Sequence, residues 1–292
     1  MSMNPAPAQH IANEKALDSY SADIKRWQKN NEERFQDPFG WLALTGNYWL
    51  RDGENRIGVD PTSVVKIPAD FADQPMGSFF VDRSSVELRL DSQSTIQVNG
   101  RSAGTTNLTI DSSRIESDGA DRISIEERIQ LQLVRRNGRF AVRVRDRKNA
   151  AFEKFPGKRW YEPQPEFRVE AEFSAYEPKR TISITNVKGD QVEMEVVGNL
   201  RFRIRDREFL LDAFSESPES LFLVFKDLTS GKSTYAAGRF LTTSAPVDGR
   251  VTIDFNKAYN PPCAFSPHAL CPLPPSQNSL DIEIVAGELK VQ

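Results

Sequence analysis

From Arg51 onward the chain breaks into short alternating or β-branched runs separated by Asp, Asn, Ser and Gly, a texture that no long helix can use. Ser63–Ile67, Gly77–Val81, Val86–Leu90, Thr95–Val98 and Leu108–Ile110 read as strands, because alternate residues of an extended chain share a face. Asn99-Gly100 is a hairpin dipeptide, both residues tolerating the positive φ of a type I′ turn. Asp118-Gly119 and Asn137-Gly138 punctuate in the same way, the second joining Ile129–Arg135 to Arg139–Arg145. Strands linked by turns this tight pair antiparallel. Asn149–Pro165, rich in Pro and Gly, interrupts the rhythm. Strands resume at Phe167–Phe173, Thr181–Asn186, Gln191–Val196, Leu200–Arg205, Glu208–Leu211, Leu221–Phe225, Gly238–Leu241 and Arg250–Phe255. The expected fold is mainly β, built from antiparallel sandwich or barrel units. With 292 residues the chain is long enough for two of them: 51–148 and 166–292, joined by a loop over 149–165 and preceded by a helix and apolar anchor in 1–50.

The helix is predicted from Ala8 to Gln36, a charged stretch without Gly or Pro in which Ile11, Leu17, Tyr20, Ile24, Trp27 and Phe35 fall mostly at helical spacing. Asp37-Pro38 ends it, since a residue before proline is pushed out of the helical region. Phe39–Leu50, with Trp41 and Trp49, reads as core that anchors the helix. A balance of 38 Lys and Arg against 41 Asp and Glu leaves no basic field, so neither nucleic acid nor a membrane surface is expected as a partner. Met1–His10 has neither the basic start nor the apolar centre of a secretory signal, and a cytoplasmic location is expected.

Two arginine stripes stand out. Arg139, Arg143, Arg145 and Arg147 alternate with Phe140, Val142 and Val144, and Arg201, Arg203, Arg205 and Arg207 repeat the pattern. Such ladders either cradle an anionic ligand or pair with acidic residues on neighbouring strands, such as Glu166, Glu170, Glu172, Glu193 and Glu195. Cross-strand pairing is the expected fate.

Asp254–Glu288 holds six of the 18 prolines, both cysteines and one of the two histidines. Prolines at this density exclude a regular element, while Phe255, Tyr259, Phe265, Leu270 and Leu273 argue for an ordered loop. Its run Asn260-Pro261-Pro262-Cys263-Ala264-Phe265, followed by Cys271-Pro272-Leu273-Pro274-Pro275, Asn278 and Ala286-Gly287-Glu288, resembles the closing signature of the family called domain of unknown function 1684. Pro38-Phe39-Gly40-Trp41-Leu42, Thr45-Gly46, Tyr48-Trp49-Leu50, Gly53-Glu54-Asn55, Ile57-Gly58, Asn99-Gly100, Thr234-Tyr235 and Gly238-Arg239-Phe240 agree with it, so the resemblance spans residues 25–290. It implies no particular activity, and His268 matches none of its fixed positions.

Three thiol readings follow from Cys263 and Cys271: a zinc site with His268 and Asp254, a disulfide, and a nucleophilic thiolate served by His268 and Asp254. No Cys-x-x-Cys turn is present, so no metal is assigned and the cofactor stays open. A reducing compartment disfavours the disulfide. A polar site fits the loop better. Asp254, Glu288 and Cys263 are its expected catalytic groups, and Tyr235, Arg239, Asn256, Tyr259, Asn260 and Asn278 would hold a small polar molecule. Arg239 would meet a ligand anion, and Asp254 or Glu288 would act as acid or base. The alternative is a peptide-binding or scaffold module. The first β domain, with its Gly53-Glu54-Asn55-Arg56-Ile57-Gly58 turn, resembles forkhead-associated sandwiches, and Arg51, Arg83 and Ser84 would then read a phosphate. Oligomeric state is left open.

Overall fold

The computed structural model describes residues 7–291 apart from 73, 75, 103, 109–119 and 137, with 7–14 and 216 described by backbone alone. The expected strand end at Ile110, the Asp118-Gly119 turn and Asn137 lie outside the described residues. By its contacts the chain divides into two units: residues 35–155 with 265–269, and residues up to Arg34 with 156–264 and 270 onward.

Helix α1 (Pro7–Phe35) runs nearly as predicted and stops before Pro38. Ile24 and Phe35 are buried as the predicted stripe requires, whereas Leu17 is exposed and Gln28, outside the stripe, is buried.

Among the described residues the first unit is a β-sandwich of eleven short strands: β1 (Leu44–Trp49), β2 (Gly53–Gly58), β3 (Val65–Lys66), β4 (Gly77–Asp82), β5 (Ser85–Leu90), β6 (Ile96–Val98), β7 (Arg101–Ser102), β8 (Thr105–Asn107), β9 (Ile123–Ile125), β10 (Ile129–Arg136) and β11 (Arg139–Asp146). One sheet runs β1-β11-β10-β9-β6-β7 and the other β3-β2-β4-β5-β8. Their pairings are antiparallel except the short β2–β3 contact. Alternate residues of the two inner faces, among them Ile57, Phe79, Leu88, Ile96, Leu131 and Val142, fill the core. Asn99 and Gly100 take φ of 53° and 74° between β6 and β7, as a type I′ turn requires. Gly53–Gly58, read in the sequence as a turn, is a strand, and no strand covers Leu108.

On β11 the arginine stripe lies against aromatic rings. The guanidinium of Arg139 lies over Trp49 at 4.5 Å, Arg143 over Trp41 at 5.3 Å and Arg147 over Phe39 at 5.9 Å. Cation–π stacking thus takes up charges that the sequence offered to carboxylates. Arg145 is buried and donates to Gln132 Oε1 at 2.7 Å.

In the second unit, β12 (Arg168–Thr185), β13 (Gln191–Ile204), β14 (Arg207–Ser217), β15 (Ser220–Phe225), β16 (Arg239–Ser244) and β17 (Arg250–Asp254) form one antiparallel sheet in the order β16-β15-β14-β13-β12-β17. Its terminal strands β16 and β17 come alongside each other, so the sheet is a nearly closed barrel. Two runs expected as separate strands merge into β12, and two more into β13. Pro178 has no N–H for the ladder, and the register slips between Ala175 and Arg180, which is why the sequence pattern breaks inside β12. Phe202, Leu211, Leu223, Phe225 and Phe255 point inward, and Leu280, Ile282 and Ile284 of the C-terminal segment complete the core. The second arginine stripe does pair with acids: Arg201 with Glu208 at 3.1 Å, Arg205 with Glu166 at 3.2 Å and Arg207 with Asp281 at 3.1 Å. All three pairs are exposed, and each contributes about 0–1 kcal/mol.

Candidate functional site

The proline-rich segment lies against the barrel as ordered turns, and its polar residues separate into four buried clusters. The first centres on Arg239, whose side chain is fully buried at the start of β16. It donates to Asp227 Oδ2 at 2.7 Å, to the carbonyl of Ile284 at 3.1 Å and to that of Ala286. Asp227 in turn accepts from the backbone N–H of Thr229 at 2.7 Å and its hydroxyl at 2.5 Å. Burial draws the Arg239 guanidinium below its ordinary value, and Asp227 opposes that shift. Arg239 therefore clamps residues 284–286 to the barrel, with its charge spent on Asp227.

The second cluster ties α1 down. Tyr20 Oη donates to Asp254 at 3.0 Å, and Asn256 donates from its N–H and from Nδ2 to the same carboxylate at 3.1 and 3.0 Å. Asn256 also exchanges hydrogen bonds with the backbone of Gln164, accepting at 2.7 Å and donating at 2.9 Å. Burial, followed by the Asp254 charge, pushes the Tyr20 phenol well above its ordinary value of 10.0. Asp254, the expected acid or base, is a cap for the turn at Phe255–Lys257.

Glu288 forms the third. The positive φ of Gly287, 82°, turns the chain there, and a Cβ would lie 2.6 Å from the carbonyl of Ala258. Glu288 is 1% exposed, and its carboxylate accepts from Lys158 Nζ at 3.1 Å, Asn260 N–H at 2.9 Å and Asn260 Nδ2 at 3.0 Å. Lys158 is equally buried, donates to Asn31 of α1 at 2.8 Å, and sits 5.7 and 6.0 Å from the ring centres of Trp160 and Tyr259. Trp27 meets Trp160 edge-on at 5.8 Å. Burial pushes the Glu288 carboxyl up and the Lys158 ammonium down, each shift opposed by the partner. Asn260 is itself buried, and its Oδ1 finds no hydrogen-bond partner among the described residues. A cavity of about 30 Å³, room for one water, adjoins Glu288 between Gly157 and Lys290.

The fourth gathers the thiols. Tyr235 Oη lies 3.3 Å from the carbonyl and 3.9 Å from the sulfur of Cys263, and Cys263 N–H donates to Cys271 Sγ at 3.3 Å. No disulfide joins the two cysteines. His268 is exposed and belongs to the first unit, whereas Cys263, Cys271 and Asp254 belong to the second. Among the described residues no group of three or more His, Cys, Asp or Glu is arranged for a metal.

Asn278 is fully buried, donating to the carbonyls of Asp212 and Val224 at 2.9 Å each and accepting from Asp212 N–H at 2.8 Å. It joins β14 to β15. In the first unit, Arg83 and Ser84 make the turn between β4 and β5, and the Arg51 N–H is held by Asn55 Oδ1 at 3.0 Å, so these positions are plain exposed turns.

The structure thus brings Glu288, Asn260 and Tyr259 together, and Asp254 with Asn256, but keeps Arg239 and Asn278 in separate clusters. Lys158, Trp160, Asn31, Tyr20 and Asp227, which complete these clusters, carry no sequence signal of their own. Lys158 and Trp160 stand in what composition marks only as a connecting loop.

Residues 153–289 match the family described as Protein of unknown function (DUF1684). The chain belongs to this family. The DUF1684 match ends one residue past Glu288 and takes in every cluster above except the residues of α1, while the sandwich lies almost wholly outside it, so it lends no support to the forkhead-associated resemblance. The chain is also similar to the solution structure of an uncharacterised protein from Haloarcula marismortui, with 34% identity over 47% of this chain and 78% of that one and a TM-score of 0.40. No curated protein matches it. Among the described residues no helix is long and apolar enough to cross a membrane.

Proposed function

We propose that the second unit binds a small polar molecule at Glu288, Asn260 and Lys158, and that Glu288 exchanges a proton with it. The observation that carries this reading is Asn260 Oδ1, a buried acceptor without a partner beside a buried carboxyl. Leaving such an atom unpaired costs about 1–3 kcal/mol, so a ligand N–H or O–H that reaches it gains that amount on binding. Burial shifts Glu288 and Lys158 toward their neutral forms from opposite sides, which favours proton exchange between either side chain and a bound molecule. A cavity of about 30 Å³ lined by Glu288 adjoins the carboxyl and supports the reading. Trp160 and Tyr259 present their rings to the Lys158 ammonium at 5.7 and 6.0 Å. The reading keeps the protein in the cytoplasm, where Cys263 and Cys271 stay reduced.

Ligand-observed NMR on the full chain with formamide, glycine and glycolate as probes tests it. One of the three should bind, and Glu288→Gln should weaken that binding roughly tenfold or more, the loss of one hydrogen bond to a charged group. Absence of binding by all three, or binding untouched by Glu288→Gln, overturns the reading.

A further inference from the structure

The proposed acid–base site leaves the second reactive cluster of the barrel unit unused. Cys263 and Cys271 are eight residues apart in the loop, yet the Cys263 N–H donates to Cys271 Sγ at 3.3 Å. Tyr235 Oη faces the Cys263 sulfur at 3.9 Å and anchors to the Cys263 carbonyl at 3.3 Å. Cys263 is partly exposed and Cys271 is buried. A partly exposed thiol, a buried second sulfur held against its backbone N–H and a phenol facing the exposed one are the parts of a dithiol that reacts in order.

We infer that Cys263 is a nucleophilic thiol toward hydroperoxides and that Cys271 resolves it. In the first step the Cys263 thiolate attacks one peroxide oxygen. The O–O bond breaks, Cys263 becomes a sulfenic acid, and the departing alkoxide or hydroxide takes a proton to leave as alcohol or water. In the second, Cys271 sulfur attacks the Cys263 sulfur. The S–O bond breaks, and hydroxide leaves as water with the Cys271 proton. Two electrons pass from the thiols to the peroxide, and a disulfide remains.

The surroundings favour the first step. Hydrogen bonds from Cys271 and then Tyr235 hold the Cys263 thiol below its ordinary value against the opposing effect of burial, and the Lys188 charge acts in the same direction. Tyr235 is pushed up, by burial first and then by the two cysteines, so it remains a protonated donor to the thiolate. This activation needs neither His268 nor Asp254, the partners that the sequence offered for a thiolate. It is also independent of Glu288.

The test is intact mass of the full-length protein after one equivalent of hydrogen peroxide, with alkylation of the denatured chain. The wild type should lose two hydrogens and both alkylatable thiols. Cys271→Ser keeps a group that can accept from Cys263 N–H and should stop at one added oxygen on Cys263, trapped by dimedone. Cys263→Ser should retain an unmodified Cys271. Tyr235→Phe should slow the first step several-fold at neutral pH, because the thiolate loses a hydrogen-bond donor. Retention of both thiols, oxygen added first at Cys271, or a wild-type rate no greater than that of the urea-unfolded chain each overturns the inference.

Discussion

Asp227→Asn isolates the contribution of one charge, because the amide has the shape of the carboxylate it replaces. Asp227 and Arg239 both have fully buried side chains and meet at 2.7 Å. In the variant the amide oxygen can still accept from Thr229, and Arg239 still donates to the carbonyls of Ile284 and Ala286. What is lost is the compensation of a guanidinium held in a dry site, and breaking such a pair from one side costs about 3–5 kcal/mol. Against a total near 5–15 kcal/mol, that is a large part of the barrel's stability. Urea unfolding should show the loss, and hydrogen exchange should place it in residues 280–291, the segment that Arg239 clamps. Asp227→Leu with Arg239→Met should recover part of it only, since the carbonyls of Ile284 and Ala286 then lose their donor at about 1–3 kcal/mol each. A loss below about 1 kcal/mol for Asp227→Asn would refute the argument that this pair clamps the C-terminal segment to the barrel.

Tyr20→Phe removes the hydrogen bond that docks α1 to Asp254 and should cost about 1.5–3 kcal/mol, seen as faster amide exchange in α1. Because the folded-state phenol lies above its ordinary value, the wild-type contribution is complete below pH 10.0 and should fall away as the pH rises beyond it, a loss that Tyr20→Phe abolishes in a pH series of thermal melts. Lys158→Met leaves Glu288 buried without its cation, so the Glu288 pKa rises further. The variant should be about 3–5 kcal/mol less stable than wild type at neutral pH and should regain stability as pH falls toward the ordinary carboxylate value of 4.5. Asn278→Asp turns an acceptor toward the carbonyls of Asp212 and Val224 and should lower the melting temperature more than Asn278→Ala does.

The β architecture was legible because its signals are local. Alternation, Asn-Gly turns and the Pro165 break mark strands and their ends one segment at a time, and the helix boundary at Pro38 follows from backbone sterics alone. Length was less legible: Pro178 and Gly198 interrupt the pattern of β12 and β13, but bulges at those points carry the ladder through. The site was legible in composition and not in pairing. That Asp254–Glu288 would be an ordered polar frame follows from its prolines and aromatics, whereas the partner of each charge depends on which distant strand or helix face arrives beside it. Arg239 is taken by Asp227, 12 residues away, Asp254 by Tyr20, 234 residues away, and Glu288 by Lys158, 130 residues away. No spacing rule reaches such separations. Arg139, Arg143 and Arg147 show the same thing, since their aromatic partners come from a segment nearly a hundred residues earlier.

Proton exchange at the site requires that Glu288 be a buried carboxyl whose proton affinity is raised while Lys158 stands beside it. Site-resolved carbon NMR titration of the Glu288 side-chain carboxyl in the intact protein measures this directly. Its midpoint should lie above the ordinary value of 4.5 and move higher still in Lys158→Met. A midpoint at or below that value would mean that Lys158 and Asn260 hold Glu288 as a fixed anion, and the proposed exchange of a proton with a bound molecule would fail.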